Sequence, residues 1–130
     1  MSDFKQKEIL QTLVSEMKNI SANVFTSNRP KSVTEDMQEF IVVSLPNMMY
    51  RKTYGEGYGL TASYIRIEIY VRDVNGVEWV AKLDSIKEQI VARFPIVTDF
   101  ITISNPRVAL TGDDGYGFHV WNIQASFITK

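Results

Sequence analysis

His119 is the one histidine of the sequence, which contains no cysteine. Without a second histidine or a thiol, one copy of the chain has no His pair for a metal or a proton relay and no cysteine nucleophile. His119 shares its strand parity with Trp121 and Ile123 in the last predicted strand. We therefore predict that His119 lies at the rim of the packed sheet face, since histidine is commonly half-buried.

Asp113 and Asp114 are adjacent carboxylates that could suggest a cation site, and the neighbouring Gly112 and Gly115 would give room for a turn. A calcium-binding loop needs further oxygen ligands at set positions and a glutamate at its end, and these are missing. Asp and Gly are also common turn formers. The pattern therefore predicts a turn, and no metal ligand is assigned.

The segment Gly115–Trp121 resembles the RNA-recognition signature, in which a basic residue precedes alternating glycines and aromatic residues. Asp114 occupies the basic position and would repel phosphate, and the later aromatic residue is out of register. The signature also requires a helix and another strand after it, whereas this segment begins the last predicted strand. RNA binding is therefore not predicted.

Gly55–Gly59 has the spacing that begins a phosphate-binding loop, but a strand rather than a helix follows it. Such loops hold phosphate with the backbone amides of a helix N-terminus. No serine or threonine has a base partner suggested by the sequence, and no paired carboxylates stand out at strand ends. The sequence therefore predicts neither an enzyme nor a bound cofactor.

Acidic and basic residues are nearly balanced and mixed along the chain, with 15 Asp and Glu, 14 Lys and Arg and a net charge of −1. A nucleic-acid-binding surface normally has a basic excess or stripe. No apolar run approaches the ~20 residues of a membrane span, and the N-terminus lacks the apolar region of a secretory signal. We therefore expect protein partners, and neither nucleic acid nor membrane.

Two amphipathic helices are predicted from apolar residues at helical spacing. The first covers about residues 3–20, with Ser2 as its cap and Asp3 near its positive end. The second covers about residues 77–94 and is stopped by Pro95. Each has one apolar stripe to bury.

Five extended segments and one long loop are also predicted. The second segment is a β-branched run, typical of a strand buried on both faces, and the third alternates between apolar and polar residues. Asn47–Gly59 contains three glycines and three tyrosines and is predicted to be a long mobile hairpin loop. The predicted strands are a short piece at Val24 and Phe25, then Phe40–Leu45, Ser63–Arg72, Phe100–Ser104 (broken by Asn105-Pro106) and Trp121–Thr129.

Hairpin connections favour an antiparallel sheet, and two amphipathic helices can cover its apolar face. The predicted fold class is therefore α+β, with one mainly antiparallel sheet of four to five strands and two helices packed on one face. No internal repeat, low-complexity tract or linker is present. We therefore predict a single domain over residues 1–130.

Two features have no assigned role in this fold, the long loop and the polar face of the strand that ends at Arg72. The loop is either a mobile surface connection or an arm that contacts a partner, because Tyr, Met and Arg are enriched at interfaces. The strand face is either solvated or covered by a neighbouring subunit. Together with the acidic turn, these features give the predicted partner-contact residues: Tyr50, Arg51, Lys52, Tyr54, Tyr58, Tyr64, Arg66, Tyr70, Arg72, Asp113, Asp114 and Tyr116.

In the order of its elements, the chain resembles the tail-terminator (minor tail, tail-completion) family of long-tailed bacteriophages over about residues 3–129. The shared pattern includes the turn Asn28–Pro30, the segment Val97–Ile101 before an Asp-Asp-Gly turn, and the final strand. The tyrosine-rich loop is longer than the family pattern, and no functional residue is carried over. The resemblance implies a homo-oligomer, a hexameric ring that caps the tail tube and contacts head-tail connector proteins. It also implies a subunit that is cytoplasmic during assembly and belongs to the virion tail afterwards.

The alternative is a protein of another class, a small α+β domain that dimerises through its sheet and binds a small ligand or regulates an enzyme. The two hypotheses differ in oligomeric state, since a hexamer favours the ring and a dimer favours the regulatory domain.

Overall fold

The computed structural model describes residues 6–28, 30, 33–45, 50–54 and 58–129, and between 50 and 62 it describes the backbone. Within these ranges the chain forms two helices and seven strands. The predicted helix cap at Ser2 and Asp3 lies outside the described residues. In chain order the elements are α1 (Gln6–Met17), β1 (Val24–Thr26), β2 (Glu39–Ser44), β3 (Tyr50–Tyr54), β4 (Tyr58–Arg72), α2 (Val80–Val91), β5 (Ile96–Val97), β6 (Ile101–Asp113) and β7 (Phe118–Thr129).

The strands form one sheet in the order β1-β2-β4-β7-β6-β5, and β3 pairs with β4 off this path. β1 runs parallel to β2 and the other pairs are antiparallel, so the sheet is mixed. The prediction of an α+β fold agrees with this arrangement. The predicted count of four to five strands is wrong, because the sequence pattern favours a loop at β3 and the two-residue β5 is too short to leave a pattern.

Both helices pack on the same face of the sheet. Each presents one apolar stripe, because residues three and four apart lie on the same side of a helix. These stripes form one core with the apolar face of β2, β4 and β7. The buried helical residues are Ile9, Leu13 and Met17 in α1 and Leu83, Ile86 and Ile90 in α2.

The middle strand β4 supplies the centre of this core through strict alternation. Ile65, Ile67 and Ile69 are fully buried on the helix side, because alternate side chains of a strand share a face. Their neighbours on β7 include Ile123, opposite Ile67, and Trp121, opposite Ile69. The alternation read from the sequence therefore places the core correctly in this part of the sheet.

A second, smaller core lies on the opposite face of the sheet. Phe40 stacks on Tyr70 with ring centroids 4.4 Å apart, and it meets Phe118 edge-on at 5.2 Å. Tyr70 is consequently only 8% exposed, although the sequence suggested that it faces a partner. The other members of this second core are Val42 and Val120, with Phe25, Val33 and Met37 packed against them.

Arg72 holds the segment around residues 33–37 over the second core. Its Nε and Nη2 atoms donate hydrogen bonds to the Met37 carbonyl at 3.2 and 3.1 Å, and Nη2 also donates to the Thr34 carbonyl at 3.1 Å. The guanidinium carbon lies 4.6 Å from the centroid of the Phe118 ring. The polar face of β4 is therefore covered by the chain itself at this end, not by solvent.

The prediction that Asn47–Gly59 form a loop is wrong for the residues of this range whose backbone the structure describes. Residues 50–54 form β3, and β4 begins at Tyr58 rather than near Ser63. The two strands pair from Tyr50 with Ala62 to Tyr54 with Tyr58. The sequence of this hairpin has no alternating apolar pattern, so periodicity does not predict its strands. The remaining positions of the predicted loop, 47–49 and 55–57, lie outside the described residues.

The predicted break at Asn105-Pro106 is also wrong, because β6 continues through it to Asp113. The register shifts between Ser104 and Arg107, which is the signature of a β-bulge. Asn105 adopts a φ of 57°, a conformation that Asn tolerates better than most residues. The turn signal therefore produces a local irregularity within the strand and does not end it.

Candidate protein-interaction surface

The second half of β6, residues 107–113, is an edge of the sheet, and we call it the open edge. On one side it pairs with β7, from Arg107 opposite Gln124 to Asp113 opposite His119. On its other side, β5 pairs only with Thr102 and Ile103, so the open edge has no strand partner among the described residues. Unpaired N–H and C=O groups along such an edge are a template for another strand.

Two apolar side chains of the open edge are exposed. Val108 is 43% exposed and Leu110 is 71% exposed. Their cross-strand partners are Ile123 and Trp121, which belong to the main core. Directly opposed residues share a face, so Val108 and Leu110 lie on the helix side of the sheet, beyond the area that the helices cover.

Edge strands are commonly protected by charges, prolines or bulges. One register shift precedes the open edge, before Arg107, and a second lies within it, between Leu110 and Gly112. Between them, residues 107–110 keep a regular register and contain one charged side chain. This regular stretch therefore keeps the geometry that a further strand requires.

Glu78 joins the start of α2 to the strand beside the open edge. Its Oε1 accepts the indole N–H of Trp121 at 3.1 Å, and its Oε2 lies 3.7 Å from Nε2 of His119. A tight turn at Asn75-Gly76 places Glu78 there, with both residues at positive φ and with Val74 and Val77 bridged across the turn. The apolar side chains of Val77, Trp79 and Val80 are exposed around this point.

His119 lies at the rim of the main core, as predicted, and Asp73 holds its ring. Nδ1 of His119 is 2.6 Å from Oδ1 of Asp73. This hydrogen bond raises the pKa of His119 above its ordinary value of 6.5, and the charges of Asp73, Glu78 and Asp113 act in the same direction. The arrangement favours a charged imidazolium that ties β7 to the turn before α2. Among the described residues, no group of three or more His, Cys, Asp or Glu side chains is arranged to hold a metal ion.

The hairpin of β3 and residues 58–61 of β4 forms a second distinctive feature, which we call the ribbon. β7 pairs with β4 only from Ala62 onward, so residues 58–61 pair with β3 and with no other described strand. The ribbon therefore extends past the point at which β7 begins to pair with β4. Five of the predicted contact residues lie on it, with backbone positions described and side chains not: Tyr50, Arg51, Lys52, Tyr54 and Tyr58.

The predicted contacts on the polar face of β4 divide into two groups. Tyr64 is at the exposed end of the strand, and Arg66 is half-buried beside it. Burial raises the pKa of the neighbouring Glu68, while the charge of Arg66 opposes that shift. Tyr70 belongs to the second core, and the Arg72 guanidinium lies over the Phe118 ring of that core. The exposed part of this face therefore comprises the half of the strand nearer the ribbon.

The turn between β6 and β7 uses its carboxylates internally. Oδ1 of Asp113 accepts the backbone N–H of Gly115 at 2.7 Å, and Oδ1 of Asp114 accepts that of Tyr116 at 2.7 Å. Gly115 and Gly117 both have positive φ, which glycine adopts at no steric cost. Tyr116 projects from the turn and is 72% exposed, next to the end of the open edge.

The sequence interpretation misses Val108 and Leu110, because it ends the strand at Ser104. A signal is present, since Val108 and Leu110 alternate with Arg107, Ala109 and Thr111 as a half-buried strand would. The turn-forming pair Asn105-Pro106 nevertheless leads to the prediction that the strand ends before it.

No protein-family model matches the chain, and a search of curated proteins finds no match. No helix in the described part of the chain has the length and apolar character needed to cross a membrane.

Proposed function

We propose that the chain is a structural assembly subunit that forms a ring, caps the tail tube of a phage or phage-derived particle and contacts the head-tail joining region. The observation that carries the proposal is the open edge, a regular strand segment on which Val108 and Leu110 face solvent in the single chain. An exposed apolar edge of this kind is a pairing site for another chain, so it is expected in a subunit that functions in an assembly.

The positions of the two distinctive features support a ring. The open edge belongs to β6, and the outer strand of the ribbon is β3. These two strands lie on opposite sides of the pair formed by β4 and β7. An interface between two unlike surfaces is heterologous, and it generates a closed ring when the rotation between subunits closes. A subunit with one such surface at each side can therefore contact two neighbours at once.

The composition of these surfaces also suits protein contact. The ribbon carries tyrosines and Arg51, and the open edge carries aliphatic side chains beside the exposed Tyr116. Aromatic residues and Arg are enriched at protein interfaces, whereas Lys, Glu and Asp are depleted in their centres. The resemblance in element order to tail-terminator proteins adds the tail tube and the head-tail connector as the expected partners.

The second candidate function is a small ligand-binding or regulatory domain that dimerises through its sheet. The open edge also supports this candidate, because two copies related by a two-fold axis can pair their β6 strands antiparallel. A cavity of about 570 Å³, lined by α1 residues such as Leu10 and Val14 and by Thr26, would be the place for a ligand.

Oligomeric state tests the proposal and separates the two candidates. Native mass spectrometry and electron microscopy of the purified protein are expected to show a hexameric ring with a central opening. Leu110→Lys should reduce the ring to monomers that still fold and unfold cooperatively, because the side chain is exposed in the single chain. Val74→Lys is the matched control, since Val74 is exposed but lies in the turn before α2.

A stable dimer would overturn the ring and favour the regulatory domain. The tail assignment is tested separately, with a tail-tube protein encoded beside the chain. The assembled ring is expected to bind the ends of preformed tubes and to stop their elongation in a sedimentation assay. Tubes that elongate unchanged in the presence of the ring would contradict the tail-capping function.

A further inference from the structure

We infer that the open edge receives the ribbon of a second copy of this chain, so that β3 of one copy extends the sheet of the next. This inference rests on the proposed ring-forming function and specifies the contact that builds the ring. It accounts for two features with one interface, because β3 and the open edge each have one side with no strand partner in the described part of the chain.

A third strand would stabilise the ribbon. A two-stranded hairpin is at best marginally stable in water, and a third strand or a packed face is required to hold it. Among the described strands no third strand pairs with residues 58–61, since the pairing of β7 with β4 begins at Ala62. At about 3.4 Å per residue, the five residues of β3 span roughly 15 Å, enough to pair with the regular part of the open edge.

The strand directions allow antiparallel pairing between copies in the same orientation. β3 is antiparallel to β4, β4 to β7 and β7 to β6. β3 and β6 therefore run in opposite directions within one copy. When a second copy with the same orientation brings its β3 beside β6, the two strands are antiparallel without any inversion of the subunit.

The charges of the two features are complementary. The ribbon carries Arg51 and Lys52, whose cross-strand neighbours within the chain are the uncharged Thr61 and Leu60. The open edge ends at Asp113, next to Asp114. Opposite charges across an interface favour the correct encounter and register, so the basic ribbon is suited to the acidic end of the open edge.

Pairing of β6 with β6 across a two-fold axis is the competing arrangement. It would also satisfy the open edge, but it would leave the ribbons of both copies without a third strand. Because the ribbon and the open edge lie toward opposite ends of the strands, ribbon pairing requires neighbouring copies to be staggered along the strand direction. Strands of closed barrels have such a stagger.

Disulfide cross-linking tests the inference, since the chain has no cysteine of its own. Leu110→Cys is combined with Thr53→Cys in one double variant and with Tyr54→Cys in another, so that one of the two adjacent ribbon positions shares the sheet face of Leu110. Mild oxidation of either double variant is followed on a denaturing gel. A ladder of covalent oligomers up to the ring size is expected for the variant with the matching face.

Mixtures of single variants separate the possible contacts. Leu110→Cys mixed with the matching ribbon variant should give a covalent dimer, and each single variant alone should stay monomeric on the gel. Val74→Cys replaces Leu110→Cys in the control mixture, which should give no dimer. Efficient cross-linking of Leu110→Cys to itself would overturn the inference in favour of two-fold edge pairing.

Failure of this inference can be distinguished from failure of the proposed function. If native mass spectrometry shows a ring but neither ribbon variant cross-links to the open edge, the ribbon is not the occupant and the ring-forming function stands. If the unmodified protein is a monomer or a dimer, the ring-forming function itself fails.

Discussion

Leu110 and Trp121 are direct cross-strand partners on the same face of the sheet, yet Leu110 is 71% exposed and Trp121 only 8%. One strand spacing, about 4.8 Å, separates a core position from one that faces solvent. The difference arises because α2 and the Glu78 carboxylate cover β7 and extend no farther. The boundary of the helical layer therefore coincides with the beginning of the open edge.

The centre of the main core is expected to tolerate no charge. Ile67→Asp would bury an unpaired carboxylate at a fully buried position, at a cost of several kcal/mol against a total stability of about 5–15 kcal/mol. We expect no cooperative thermal transition by circular dichroism, and the same for Ile90→Asp in α2. Val77→Asp, at an exposed position, is the control and should melt like the unmodified protein. A cooperatively melting Ile67→Asp variant would show that the faces of β4 are assigned wrongly.

Arg72 should matter more for stability than Arg93. Arg72→Met keeps the aliphatic stem but removes the donors to two backbone carbonyls, and hydrogen bonds from charged groups contribute about 1.5–3 kcal/mol. Arg93→Met removes an ion pair with Glu16 that is about one-third exposed, so the loss there should stay below about 1 kcal/mol. Urea unfolding measures both. Hydrogen exchange should also be faster in residues 33–37 of Arg72→Met, and equal losses for the two variants would contradict this role.

The contribution of His119 should depend on pH. Its pKa is raised in the folded state by Asp73, so the folded protein holds this proton more tightly than the unfolded chain. The resulting stabilisation is complete below the ordinary value of 6.5 and is lost as the pH rises through the higher folded value. His119→Asn, which keeps a hydrogen-bond donor but cannot gain a charge, should differ most from the unmodified protein at pH 6 and less at pH 8 and above. A difference in unfolding free energy that does not change with pH would disprove this linkage.

The ribbon should serve assembly rather than the fold of the subunit. Replacing residues 48–58 with a short Gly-Ser turn removes β3 but leaves Ile65, Ile67 and the rest of the core in place. The melting transition of the subunit is expected to stay nearly unchanged, whereas the assembly should shift to monomers in light scattering. A large drop in melting temperature would indicate that the ribbon packs on its own subunit, and unchanged assembly would remove its proposed role.

Metal ions, nucleotides and RNA should have no effect on stability. Any ligand that binds the folded state selectively stabilises it by mass action, so a thermal melt is a sensitive test. EDTA, ATP and a short single-stranded RNA are each expected to leave the melting temperature within about 1 °C of the control. A shift of about 3 °C or more in any of these melts would point to a binding site that the protein-assembly proposal lacks.

The elements that could be predicted from the sequence are those in which apolar residues recur with the period of a helix or a strand because one face is buried. The buried residues of α1, α2 and β4 recur at helical or alternating spacing, because in each case one face meets the main core. β3 gives no such signal, since its pairing with β4 depends on backbone hydrogen bonds. Sequence position alone also could not place Tyr70 in a second core, because its stacking partner Phe40 comes from another strand.

The candidate surface was less accessible from the sequence than the fold. The ribbon residues were predicted as partner contacts from their composition, on a segment that was predicted to be a loop. Val108 and Leu110 have the same residue types as core positions, and only the extent of the helical layer makes them exposed. Whether an apolar strand residue faces a core or solvent depends on what covers the neighbouring strand, which is a tertiary property.

The pairing of β4 with β7 also has a consequence for how a newly made subunit acquires its structure. Ala62 pairs with Ile128, about half the chain away, and contacts between such distant positions form slowly because a long loop must close first. During synthesis, β4 can pair with β2 and β3 before β7 has been made, which leaves the other edge of β4 unpaired until then. The open edge is formed by residues of β6 that pair with β7, so we expect each subunit to complete this pairing before neighbouring copies join.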